Sequence, residues 1–320
     1  MGWCPEARVW CLVAALAALR ALCPGAASAQ DFHLIGGRLQ DRTQAALTLL
    51  SFSVTPDSSA GSLSINNAAT GNPDVSLGQV GAGFTVAEGF PLYMEGFVGY
   101  SRYDPVFVAS DGTEQKKLPT KWNSLSGTVG LGWDFKLCDG LYLRPIIDAS
   151  LGHLGSDLSI GGRLLEHLTG QQIDFLEHGR MNTWGLGASL MLDYGIYKES
   201  YELDVELRYT WIHLQTFDTP ALVSGSSDPM TVSLWSRYRW PSGLIFFRRP
   251  MRWVAELSAS DYVGDQRGAL GFNYLSTVGG GVELDFSQYS TIWTRTRFVV
   301  RYLFGRDVSG ASAGISITFF

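Results

Sequence analysis

The residues in this sequence best placed to do chemistry are a set of charges. Arg144, Arg208, Arg237, Arg239, Arg252, Arg295, Arg297 and Arg301 lie in segments where polar and apolar residues alternate. Glu95, Asp134, Asp148, Asp193, Asp204, Glu206, Glu256, Glu283 and Asp285 lie in the same kind of segment, also on the polar parity. A period of two sends alternate side chains to opposite faces of a strand, so these charges collect on one face. Opposite charges on an enclosed face have three uses. They pair across strands and fill an interior, they ring an ion path and set its preference, or they cradle a passing chain. Glu256, Glu283 and Asp285 stand close to the later arginines, which favours pairing over an open basic track.

Nucleophile and metal chemistry have less support. Ser150, His153 and Ser156 are near neighbours, but Ser150 and His153 have opposite parity and point apart on an ideal strand. An activated serine needs its base within hydrogen-bond reach, so no triad is expected. Glu166-His167 and Glu177-His178 recur eleven residues apart, which one helix face could carry. The i,i+4 histidine pair of H-E-x-x-H is missing. The expectation is an amphipathic loop helix with Leu164, Leu165, Leu168, Phe175 and Leu176 packed together, with no metal and no other cofactor. His33 and His213 have no obvious partners in the sequence.

The elements that must position the charges are strands. Alternating segments run over 59–67, 76–86, 91–102, 123–136, 141–152, 181–196, 201–213, 230–240, 251–262, 272–286, 292–303 and 311–320. In "LYLRPIIDASL", Leu141, Leu143, Pro145, Ile147, Ala149 and Leu151 take one parity, and Tyr142, Arg144, Asp148 and Ser150 the other. "RTRFVVRYLF" separates Thr296, Phe298, Val300, Tyr302 and Phe304 from Arg295, Arg297 and Arg301. The chain ends on "ASAGISITFF", alternating to the last residues. Segments of about ten residues are long enough for a tilted strand to cross a bilayer. Short links such as "AEGF", "KLCDG" and "KES" alternate with long ones, as in a barrel with short periplasmic turns and long external loops. Another turn is expected at "PSGLIFFRRP". Trp133, Phe135, Tyr194, Tyr209, Trp211, Tyr238, Trp240 and Trp253 fall near segment ends on the apolar parity, suited to interfacial girdles. The expected fold is all-β: a closed antiparallel transmembrane β-barrel of twelve strands over residues 59–320.

Bulk properties agree. Mean hydropathy is near neutral at +0.06, as it must be when only alternate residues face lipid. Glycine is frequent at 37 residues, and aromatics make up 12%, a composition suited to many short strands. Residues 1–29 read as a cleaved secretory signal: Arg8, the apolar run "LVAALAALRALC", then Ala27-Ser28-Ala29. Cleavage would remove three of the four cysteines and leave Cys138, so no internal disulfide is expected. Losing Glu6, Arg8 and Arg20 takes the net charge from −6 to −7, which gives no support to nucleic-acid binding. Residues 30–58 precede the barrel. Their "GGRLQDRTQAALTLLSFSV" suits an amphipathic helix or an extended stretch, with Asp41, Arg42 and Gln44 fit for a polar lumen and Leu47, Leu49 and Leu50 in need of cover. A lumen plug is one expectation, and a tail or extra strand the other.

The stretches "PLYMEGFVGYSRYDP", "GTVGLGWDFKL" and "LYLRPIIDASLGHLGSDL", with the alternating segments around them, resemble the solitary outer-membrane autotransporter barrel family. The resemblance spans residues from about 59 to 320. It implies a twelve-stranded translocator-type barrel in the outer membrane of a Gram-negative bacterium, an N-terminal segment inside, and no long secreted passenger. It also implies insertion by the outer-membrane assembly machinery through the last strand. Here the pattern departs: Phe320 falls on the polar parity and Phe319 takes the apolar one. The expected role is non-enzymatic: a narrow pore, a transport conduit or a surface-structural protein. The other readings are a lipid hydrolase at the rim, using Ser150 and His153, and an adhesin using loops 103–122 and 153–180.

Overall fold

A computed structural model describes residues 47–48, 50–57, 62–65, 74–87, 89–104, 106–110, 115–119, 122–156, 180–218, 224–268, 272–286, 293–306 and 308–319. All lie in one compact unit, Phe32–Phe320. The expected signal, Asp41, Arg42, Gln44, Glu166, His167, Glu177, His178 and Phe320 lie outside the described residues, as does the expected loop helix.

The strands are β1 (Ser62–Ile65), β2 (Asp74–Ala87), β3 (Phe90–Asp104), β4 (Val106–Ser110), β5 (Gln115–Pro119), β6 (Trp122–Trp133), β7 (Phe135–Cys138) and β8 (Leu141–Ser156). They continue as β9 (Arg180–Tyr197), β10 (Glu202–Phe217), β11 (Ser226–Ser227), β12 (Pro229–Phe246), β13 (Arg249–Gly264), β14 (Tyr274–Asp285), β15 (Trp293–Gly305) and β16 (Val308–Phe319). One antiparallel path links β1-β2-β3-β6-β8-β9-β10-β12-β13-β14-β15-β16, with β7 on β8 and β11 on β10. The two ends of the path, β1 and β16, lie beside each other. The strands of this path follow one another in chain order, with β4, β5, β7 and β11 set off it, so antiparallel neighbours need no crossover.

Alternation fixes the faces. Ile147 is 72% exposed and Ile315 71%, whereas Asp148 is fully buried. Val80, Val98, Leu125, Val129, Leu186, Leu257 and Val300 join the exposed set, so the outer surface is apolar along its length. That is the reverse of a water-soluble sheet and matches a wall facing hydrocarbon. Among the described residues no helix is long and apolar enough to cross a membrane, which bears only on helices. Aromatic pairs cluster toward the short turns: Phe90 with Trp133 (5.4 Å), Tyr201 with Tyr238 (5.7 Å) and Tyr238 with Trp240 (5.4 Å). Tyr194 departs from the girdle expectation. It is buried, because the turn after β7 folds onto β9, where Gly195 N–H donates to the Gly140 carbonyl at 2.8 Å.

Two connections differ from the sequence reading. Loop 103–122 contains a hairpin of its own, β4 paired with β5. The turn read at "PSGLIFFRRP" is narrower, since strand pairing continues to Phe246 and Arg249. Phe247 and Arg248 take left-handed backbone angles, φ 48° and 60°. Two such residues make a primed turn, whose twist matches that of the flanking strands.

A short helix at 47–48 and 50–54 is the one α-helical element described. Thr48, Ser51, Ser53 and Val54 are poor helix formers, and so short a helix is not stable alone. Its environment makes it. Leu50 and Val54 pack on Ile212 and Leu214 of β10. Phe52 packs on Tyr262 (ring centroids 4.9 Å) and Phe272 (6.0 Å), within a cluster that includes Leu77, Leu275, Leu303 and Val308. The helix is buried on every side by residues of opposite walls, so it lies in the interior.

Candidate functional site: a two-layered lumen

The interior divides into two layers. In the half toward the long loops, hydroxyls and apolar groups hold the helix. In the half toward the short turns, arginines and carboxylates fill the space.

The helix layer is a set of matched donors and acceptors. Gln79 of β2 donates to the carbonyls of Ser53 (3.3 Å) and Thr55 (3.0 Å), and its side-chain oxygen accepts from Asp57 N–H (3.1 Å). Thr128 donates to the Val54 carbonyl at 2.6 Å. These partners satisfy carbonyls that a helix C-terminus leaves open. Ser126 donates to Ser53 (3.0 Å), and Ser101 and Ser124 share a 2.5 Å bond beside it. Asp57 ends the segment by accepting from Ser260 (2.6 Å) and Tyr262 (2.8 Å) of β13. Gly99 and Gly152 admit the helix: a Cβ at Gly99 would strike the Ser53 carbonyl, and one at Gly152 would lie 2.7 Å from Leu50 Cδ2.

The charged layer gathers most of the charges read from sequence. Arg208 of β10 reaches across to Glu95 of β3, with Nη1 and Nη2 at 2.9 and 2.6 Å from its oxygens. It also lies 3.6 Å from Asp148, which accepts from Ser189 at 2.5 Å. Arg144 binds Asp134 (Nη2 at 3.2 Å) and Asp193 (3.1 Å), and its guanidinium lies 3.8 Å over the Tyr93 ring. Glu256 takes Arg237 (2.7 Å) and Arg301 (2.5 Å). Glu283 takes Arg297 (Nε at 2.9 Å), Arg239 (3.5 Å) and Arg295 (3.8 Å). Asp204 takes Arg239 at 2.6 Å. Asp285 stands opposite Arg295 in the β14–β15 ladder. Glu206 stands opposite Asp193 and has no ion pair among the described residues.

The hub of this layer is a residue that sequence reading did not single out. Glu202 binds Arg252, Arg239 (3.0 Å) and Arg295 (2.7 Å) from three different strands. Its parity with Asp204 and Glu206 was the available signal, but its place at the first position of a strand hid its reach. The hydroxyl layer was also missed. Its signal is the serines and threonines on the inward parity of β6 and β13. The hydrolase pair is not assembled: Ser150 is buried inside, whereas exposed His153 bonds Asn182 at 2.7 Å. The Ser156 side chain lies outside the described set.

Gly130 is needed where it stands. A Cβ there would lie 2.7 Å from Glu95 Cγ and 2.9 Å from an Asp148 oxygen. Gly130→Ala is expected to push the two carboxylates off Arg208 and lower stability by about 1–3 kcal/mol. Urea titration of the refolded protein, read by its loss of compact electrophoretic migration, measures this; an unchanged midpoint refutes it.

The transport unit of the autotransporter AIDA-I from Escherichia coli is similar over 89% of this chain and 99% of its own, at TM-score 0.53 and 13% identity. The chain has the autotransporter translocator fold. The β domain of the Bordetella autotransporter BrkA (TM-score 0.43, 13% identity, 80% of this chain and 92% of that one) and LpxR from Salmonella typhimurium (0.42, 9%, 79% and 91%) are also similar. No family model and no curated protein matches the sequence. At this identity the likeness concerns the translocator fold and its strand order.

Proposed function

We propose that this chain is a closed, twelve-stranded outer-membrane barrel of a Gram-negative bacterium, without enzymatic activity, whose conduit is stoppered by its own N-terminal helix. Closure joins β1 to β16, which already lie side by side. A sheet edge left open in hydrocarbon would strand its backbone groups, so the bilayer itself drives that pairing. The apolar outer surface and the translocator fold support the location. The signal at 1–29 and the last strand, read as a substrate of outer-membrane assembly machinery, complete the route.

The observation that carries the reading is the fully enclosed helix, held by Gln79, Thr128, Ser260 and Tyr262 from walls on all sides. Its bonds are to neutral hydroxyls and one amide, apart from Asp57 as acceptor. Such contacts hold a segment at modest cost to its release. The charged layer below keeps the wall round and narrow. Single-channel recording in a planar bilayer tests this. The full chain is expected to be silent and a chain lacking residues 30–58 to conduct steadily. Equal conductance from both would remove the stopper reading.

A further inference from the structure

The charged layer is not evenly presented to the lumen. On β12, β13 and β15, each of four guanidiniums is more exposed than the carboxylate that holds it. Side-chain exposure is 16% for Arg237 and 19% for Arg301 against 1% for their shared Glu256. It is 22% for Arg252 and 24% for Arg295 against 7% for their shared Glu202. On β9 the order reverses, with Asp193 at 29% against 8% for Arg144. The strands β12, β13 and β15 therefore present cations to the interior, and β9 presents a carboxylate.

The cations also keep donors in reserve. Among the described residues Arg237 bonds to protein through Nε alone, and its guanidinium stacks 4.2 Å over the Trp235 ring. Among the described residues Arg252 bonds through Nη1 alone. Arg301 uses Nε and Nη2 on Glu256, while its Nη1 lies beside Gly314 of β16. Glu256 therefore holds two arginines, and Glu202 holds three that it shares with Asp204 and Glu283. Planar guanidinium forks with free N–H groups match the tetrahedral oxygens of a phosphate.

We infer that the short-turn half of the lumen is a binding site for a phosphate-bearing anion, held between the Arg237–Arg301 pair and the Arg252–Arg295 pair. The phosphate arrives either on a soluble oligophosphate or on a lipid headgroup. The site lies below the helix and does not depend on conduction, so it stands or falls separately from the stopper.

The test is calorimetric titration of tripolyphosphate into the full-length protein in zwitterionic nanodiscs. Arg237→Gln and Arg252→Gln each leave their carboxylate a remaining arginine, so the wall stays neutralised. Each variant is expected to bind about tenfold more weakly, and the double variant about a hundredfold, as expected for loss of charge-assisted forks. Asp57→Ala, which touches only the helix layer, is expected to bind as wild type does. Arg237→Lys serves if Arg237→Gln does not fold: it keeps the charge and is expected to bind between wild type and the glutamine variant. Repeating the titration in nanodiscs containing phosphatidic acid separates the sources. Competition by the lipid assigns the site to a headgroup, and unchanged affinity assigns it to the soluble anion. Absence of tripolyphosphate binding at low salt in both lipids, or equal affinity across the arginine variants, overturns the inference.

Discussion

Arg208→Met is expected to cost about 3–5 kcal/mol of stability, the range for breaking a buried ion pair by removing one partner. Arg208 is the guanidinium between two buried carboxylates, Glu95 and Asp148, and its exposure is 5%. Removing it leaves two negative charges on either side of Gly130, with no second arginine bonded to them among the described residues. One Asp148 oxygen already has no hydrogen-bond partner among the described residues. Charge repair is therefore expected to recover much of the loss: Arg208→Met with Glu95→Gln and Asp148→Asn should return most of the way to wild type. Denaturant titration in detergent or lipid, with heat-modifiable migration as the readout of folded barrel, gives both numbers. A destabilisation under about 1 kcal/mol would show that the cross-lumen pair contributes no more than an exposed one.

Gly99→Ala is expected to open the conduit without unfolding the wall. The added methyl meets the backbone carbonyl of Ser53, which cannot rotate away as a flexible side chain would, and lies 2.9 Å from Ser126 Oγ. Overpacking of this kind costs about 1–3 kcal/mol, and it falls on helix docking because the wall strand keeps its own pairing. About 1.4 kcal/mol shifts an equilibrium tenfold, so the open fraction should rise about ten- to a hundredfold. The measurement is conductance of Gly99→Ala beside wild type, with the unfolding midpoint as control. Wild-type silence in the variant, with the helix still protected from proteolysis, would mean the layer yields and the glycine is incidental.

Much of the wall was legible because a period of two is a strong signal. Ile147 and Asp148 are adjacent in sequence and at opposite extremes of exposure, as their parities require. What parity does not report is reach. Arg295 and Glu202 sit on strands far apart in the path, yet they meet because both side chains are long and the lumen is narrow. No local pattern encodes that meeting, and Glu202 was therefore overlooked as a hub. The helix was ambiguous for a related reason: "LTLLSFSV" has neither clean helical amphipathy nor clean alternation, because it is buried all round and its partners come from every wall. Tyr194 was misplaced because a turn folds over it, and turn trajectories are set by backbone angles more than by side-chain type.

The bonds from Asp57 to Ser260 and Tyr262 join residues 203 and 205 positions apart. The acceptor leaves the ribosome early and its donors come near the end of the chain. Loop-closure entropy makes so distant a contact late on any folding route, after the hairpins between neighbouring strands have formed. The helix, a weak helix former in isolation, therefore has no complete seat until the last third of the wall is present. Maturation of the interior should lag behind assembly of the wall. A time course of insertion, with protease protection of residues 47–57 and barrel migration followed separately, should show two phases in that order.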